Sequence, residues 1–236
     1  MVDWLRSIIT VPFTISLVIF LVLHILLYFF SRNAIQSIFG VFIRITKSNT
    51  ASYYLIAILF IPGTIVHEFA HFLTATILQL KVKEVSIIPT IQDKTLKLGH
   101  VIYGREDVFR GTIVGVAPLF GTWALYAFIA QYINFIQRYP VAIIALGYLL
   151  FCSSATMFSS KQDLVDAAVT IPILLLFFAI TSLAHLNFVS LLHITSIPQF
   201  IQNFVTTVNT FLILALAIHI VFRVALQVIG SFTHHS

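Results

Sequence analysis

The chain has 236 residues, 59% of them hydrophobic and 9% charged, with a mean hydropathy of +1.03. These values exclude a soluble domain of this length, and the 13 Lys and Arg, spread through short connections without an aromatic-interleaved patch, exclude a nucleic-acid partner. The formal charge of +5 points instead to anionic lipid headgroups, and the single cysteine, Cys152, leaves neither a disulfide framework nor a thiolate metal site.

Taken in order, Val11 to Phe30 is apolar except for His24 and reads as a first membrane span, given that about 20 apolar residues cross a bilayer. No small-residue cleavage pattern follows it. From Ala34 to Asn49, Ile35, Ile38, Phe39, Phe42 and Ile43 recur at helical spacing beside Arg44 and Lys47, which suits an amphipathic helix in the interface or an ordinary connector. Tyr53 to Leu80 predicts a second span, in which Pro62-Gly63 would kink the helix and open space for water. This span carries His67-Glu68-Phe69-Ala70-His71. Ionisable side chains in such a run are costly and usually functional. On a helix, residues four apart share a face, so both imidazoles can meet one metal ion while Glu68, one step round, reaches water beside it.

Between Lys81 and Arg110 the composition changes. Val82 to Ile88 and Thr95 to Tyr103 are rich in β-branched residues and partly alternate, predicting a β-hairpin over residues 81–105 that turns at Gln92-Asp93-Lys94. An open strand edge in lipid must be covered, solvated or used to bind something. Span three, about Gly111 to Ile136, opens with small residues and contains Pro118 and Gly121, a pattern that suits close helix packing. Span four, Val141 to Phe158, runs into Ser159-Ser160-Lys161-Gln162-Asp163-Leu164-Val165-Asp166. Spans five, about Val169 to His193, and six, about Val205 to Ile229, carry His185, His193 and His219, which suit satisfied core or interface positions.

The fold expected is therefore an all-α polytopic membrane protein, a single integral membrane domain over residues 1–236 with about six transmembrane helices and a small β-hairpin between spans two and three. Six spans put both termini on one side. That side would collect Arg6, Lys81, Lys83, Lys94, Lys97, Arg105, Arg110, Lys161 and Arg223, against Arg32, Arg44, Lys47 and Arg138 opposite, so the positive-inside rule predicts both termini and the hairpin in the cytoplasm.

Catalytic zinc wants three protein ligands, and two histidines leave one place open. The only glutamates after Glu68 are Glu84 and Glu106, both in the hairpin segment, and no further histidine follows His71 at the metzincin spacing. Asp163 and Asp166 end an apolar span on the side nearer the motif. Asp163, first after the apolar run, is the preferred third ligand, with Asp166 as the alternative.

These features together resemble the site-2 protease family of intramembrane zinc metalloproteases. The resemblance covers Tyr53 to Asp166 and implies a catalytic three-helix core over residues 52–168. It implies that His67 and His71 hold Zn2+, that Glu68 is the catalytic acid and base, and that Asp163, in Gln162-Asp163-Leu164, stands for the Asp of the family's Leu-Asp-Gly motif. Val116-Ala117-Pro118-Leu119-Phe120-Gly121 is similar to the family's Ala-Gly-Pro-x-x-Asn segment, with Gly121 where the Asn would be. The expected activity is hydrolysis of peptide bonds in or near the transmembrane segments of membrane-protein substrates. The competing expectation is a non-proteolytic metal-binding scaffold or ion transporter, for which Glu68 is dispensable.

Overall fold

The computed structural model describes residues 13–92, 95–104, 108–158 and 199–232. Helix α1, Phe13–Thr46, is uninterrupted because Ser31-Arg32-Asn33, polar but free of proline and glycine, does not break the hydrogen-bond ladder. At 1.5 Å per residue it is about 51 Å long, well beyond the roughly 30 Å of a hydrocarbon core. A separate interfacial helix over Ala34 to Asn49 is therefore not observed. Ala34 and Ile38 are buried against Ile56, Phe60 and Phe151, so the apolar face of that stretch packs on protein instead of headgroups.

Lys47, at φ 53°, ends α1, and Ser48 caps α2, Asn49–Leu59, by accepting the Ala51 N–H at 3.3 Å. The expected second span is broken: α2 and α3, Ile61–Ile77, meet at Phe60 with a bend of 71°. Pro62 lies in the first turn of α3, where its missing N–H costs nothing, so the expected kink takes the form of a break just before it. Gly63 opens no space for water. A Cβ there would collide with the Cys152 carbonyl and with Thr156 Oγ1. It marks the closest approach of α3 to the helix carrying Cys152. Gln79, at φ 58°, turns the chain out of α3 as Leu80 N–H bonds back to the Ala75 carbonyl at 2.9 Å.

The hairpin forms as two antiparallel ladders in tandem. Strands β1, Val82–Ser86, and β4, His100–Tyr103, pair at its base, and β2, Thr90–Gln92, pairs with β3, Thr95–Lys97, at its tip. Pro89 has no N–H to give a ladder and separates the two on one strand. The base rests on the helices: Val82 and Tyr103 pack on buried Ala75, Leu80 and Val114. The expected third span is α4, Val108–Gln131, followed by the short α5, Ile133–Ile136. Helix α6, Pro140–Thr156, corresponds to span four, and α7, Gln199–Phe232, to span six. Span five, with His185 and His193, lies outside the described residues, as do Asp163 and Asp166.

The chain is thus a predominantly helical membrane protein. Among the described residues three helices, α1, α4 and α7, are long and apolar enough to cross a membrane, or four spans if the bent pair α2–α3 counts as one. Their core joins Leu23 and Leu27 of α1, Tyr126 of α4, Leu150 of α6 and Phe211 and Leu212 of α7.

Helix polarity follows from paired contacts. Asn209 Nδ2 donates to the Ser16 carbonyl at 2.9 Å, and the Arg223 guanidinium lies 5.7 Å from the centre of the Phe30 ring. Fourteen residues on along α1 correspond to fourteen on along α7, so the two run parallel. Helix α6 is antiparallel to α1, with Phe158 beside Tyr28 and Phe151 clustered with Ala34 and Ile38. It is parallel to the α2–α3 pair, because Tyr148 OH donates to the Leu59 carbonyl at 2.6 Å and Thr156 lies beside Gly63. Helix α4 is antiparallel to α3, with Val114 at His71 and Gly121 at Ala70. An even number of crossings would make the first and last spans antiparallel. Among the described residues α1 and α7 instead run parallel.

Candidate metal centre

Helix α3 is apolar on its outer face, where Ile65, Phe69, Leu73 and Ile77 are exposed, and polar on its inner face. The inner face carries Thr64, His67, Glu68 and His71, all less than a tenth exposed. Such an arrangement inverts the usual surface helix and suits a helix with lipid outside and chemistry inside. Two contacts hold this face in place. On one side Gly121 of α4 meets Ala70, where an added Cβ would come within 2.7 Å of the alanine methyl. No side chain fits there without displacing the neighbouring helix. On the other side Gly63 meets α6.

The two imidazoles converge. His71 Nδ1 lies 2.8 Å from the Val114 carbonyl oxygen, and since a carbonyl only accepts, Nδ1 carries the proton and donates. In neutral His71 the lone pair is then on Nε2, which faces His67 Nε2 at 3.1 Å, the ring planes 82° apart. Two zinc–nitrogen bonds of about 2.0–2.1 Å at a tetrahedral angle would separate the nitrogens by about 3.3 Å. The same spacing suits an Nε2–H of His67 donating to His71 in the metal-free chain. The donor set thus fits zinc at two positions, and the His71 bond to a backbone carbonyl is of the kind that orients metal-ligating histidines.

Glu68 faces the base of the hairpin. A Cβ built on Gly99 would lie 2.7 Å from Glu68 Cγ, 2.8 Å from Oε1 and 2.9 Å from the Ser86 carbonyl oxygen, so only glycine lets strand and carboxylate approach this closely. Glu84 is not with the histidines; it is exposed on β1, with Oε1 3.4 Å from His100 Nε2. Glu106 and Asp163 lie outside the described residues, and among the described residues no third His, Cys, Asp or Glu joins His67 and His71. Two other histidines are held by the helices instead: half-buried His24 donates to the Phe20 carbonyl and accepts from Trp123 Nε1, and buried His219 pairs with Ser154 Oγ at 3.0 Å.

Two parts of the centre escape sequence reasoning. Val114 contributes a backbone carbonyl, which leaves no side-chain signature. Gly99 does leave one, a glycine inside a β-branched run, where it often marks a close backbone approach. No family model matches the chain, and no curated protein or solved structure shows significant similarity to it.

Proposed function

We propose that the chain is an intramembrane zinc endopeptidase, similar in its motifs to the site-2 protease family, acting on peptide bonds in or near transmembrane segments of membrane-protein substrates. The observation that carries this reading is the buried pair His67 and His71, Nε2 to Nε2, with one ring fixed by a backbone carbonyl and Glu68 on the same inner face. His67, His71 and Asp163 would hold the metal. Helix α6 runs parallel to α3 and passes Gly63 at Thr156, and Asp163 follows it in sequence. When bound, zinc supplies Lewis acidity that polarises a peptide carbonyl and acidifies water. Glu68 accepts the proton as the water oxygen bonds to the carbonyl carbon, and returns it to the amide nitrogen as the C–N bond breaks. Burial of Glu68 and the two histidines keeps bulk solvent from this exchange, which strengthens every charge interaction in it. The lipid bilayer is the working environment, and basic residues favour the hairpin face as cytoplasmic, with the start of α1 on that face and the end of α7 opposite.

The broken α2–α3 helix favours one other reading, a transporter or metal-binding scaffold, since broken helices are common at transport sites. Glu68→Gln separates the two. An amide cannot take a proton from water, so the variant should retain its metal and cut a transmembrane peptide at less than about a hundredth of the wild-type rate. Undiminished cleavage in the variant would remove Glu68 from its catalytic role, and a wild-type chain that binds metal and cuts no transmembrane peptide would favour the transporter or scaffold.

A further inference from the structure

We propose that Pro118 is a positioning residue for the metal centre: by withholding an N–H from the Val114 carbonyl, it leaves that carbonyl to hold His71. The inference rests on the metal reading given above.

In an uninterrupted α-helix each carbonyl accepts from the N–H four residues on. For Val114 that residue is Pro118, inside α4, which has no N–H to give. A helix carbonyl released in this way and buried must find another donor or leave an unpaired acceptor in the apolar core. It is met by Nδ1–H of His71 at 2.8 Å, from the antiparallel helix α3. Val114 itself is fully buried, so water does not compete for the carbonyl. Close approach of the two helices at Gly121 and Ala70, two turns further along α4, brings the imidazole within reach. The consequence is a fixed tautomer: Nδ1 keeps the proton, Nε2 keeps the lone pair, and Nε2 is the atom that faces His67 at 3.1 Å. The proline therefore acts through His71 and touches neither metal nor substrate.

Replacing Pro118 by alanine returns an N–H to the ladder and recaptures the Val114 carbonyl within α4. A purely structural role and the positioning role then predict different results. Loss of a helix-interior proline should leave the thermal midpoint of the zinc-free chain unchanged or raised. Zinc affinity should nevertheless fall about 10- to 100-fold, the usual effect of removing a partner that orients a metal ligand. Nitrogen NMR of histidine-labelled, zinc-free protein, with His71 assigned by difference from His71→Ala, should show the Nδ1–H form of His71 dominant in the wild type and depleted in Pro118→Ala. Wild-type affinity with an unchanged tautomer would overturn the proposal. So would loss of affinity together with a lowered thermal midpoint and an unchanged tautomer. A wild-type chain that binds no zinc would sink the metal reading by itself, and the tautomer comparison would still decide the role of Pro118.

Discussion

In the proposed metal centre, His71 shows how little resides in the ligands alone. Its usefulness depends on which ring nitrogen holds the proton, and that is set by a carbonyl on another helix. The motif itself was legible, because His67, Glu68 and His71 have diagnostic side chains at a spacing that only a helix turns into one face. Val114 was not, since any residue offers the same carbonyl, although a proline four positions later is a usable clue. For the third ligand the account favours Asp163. Asp163→Ala should reduce zinc affinity and abolish cleavage, while Asp166→Ala should be mild, as metal titration and a transmembrane-peptide assay would show. The reverse ranking would move the ligand role to Asp166.

At the scale of elements, the hairpin was predicted from its β-branched runs, and its paired strands lie within residues 81–105, the segment that pattern marked. What the pattern could not convey is where the hairpin sits, because that depends on contacts between residues far apart in sequence: Val82 and Tyr103 on Ala75, and Gly99 on Glu68. The bend expected at Pro62-Gly63 is present as a break at Phe60, but the close packing of Gly63 against Cys152, another contact between distant residues, fills the space expected beside it. The Gly99 contact has a measurable consequence. A methyl there must push the carboxylate or the strand by roughly half an ångström or more, and misplacement of about 1 Å can cost about a hundredfold in rate. Gly99→Ala should therefore lose about tenfold or more in kcat with zinc content unchanged. Gly104→Ala, whose methyl meets nothing closer than the Lys81 carbonyl at 3.9 Å, should stay within about twofold of wild type. Equal rates in the two variants would show that Glu68 is not held by the hairpin.

For the whole molecule, composition pointed to a membrane protein, and apolar runs located α4 and α6 to within a few residues, whereas α1 joins two expected segments and α2–α3 divides one. The number and direction of crossings were beyond its reach. Hydropathy marks where a helix lies but carries no sign of which way it runs, and charge counting needs the number of spans before it can assign a residue such as Arg223 to a face. The parallel course of α1 and α7 yields a direct check. Single cysteines at Lys47, Lys83 and Gln227, each in a Cys152→Ser background, should be labelled by a membrane-impermeant reagent from one face for positions 47 and 227 and from the other for position 83. Labelling of positions 83 and 227 from the same face would restore the even-span arrangement.

The central claim is that the inner face of α3 holds a zinc ion between His67 and His71, and the metal content of the purified chain tests it most directly. The expected result is about one zinc per wild-type chain, retained in Glu68→Gln and largely lost in His67→Ala and in His71→Ala. A wild-type chain without zinc, or full occupancy after both histidines are replaced together, would contradict it.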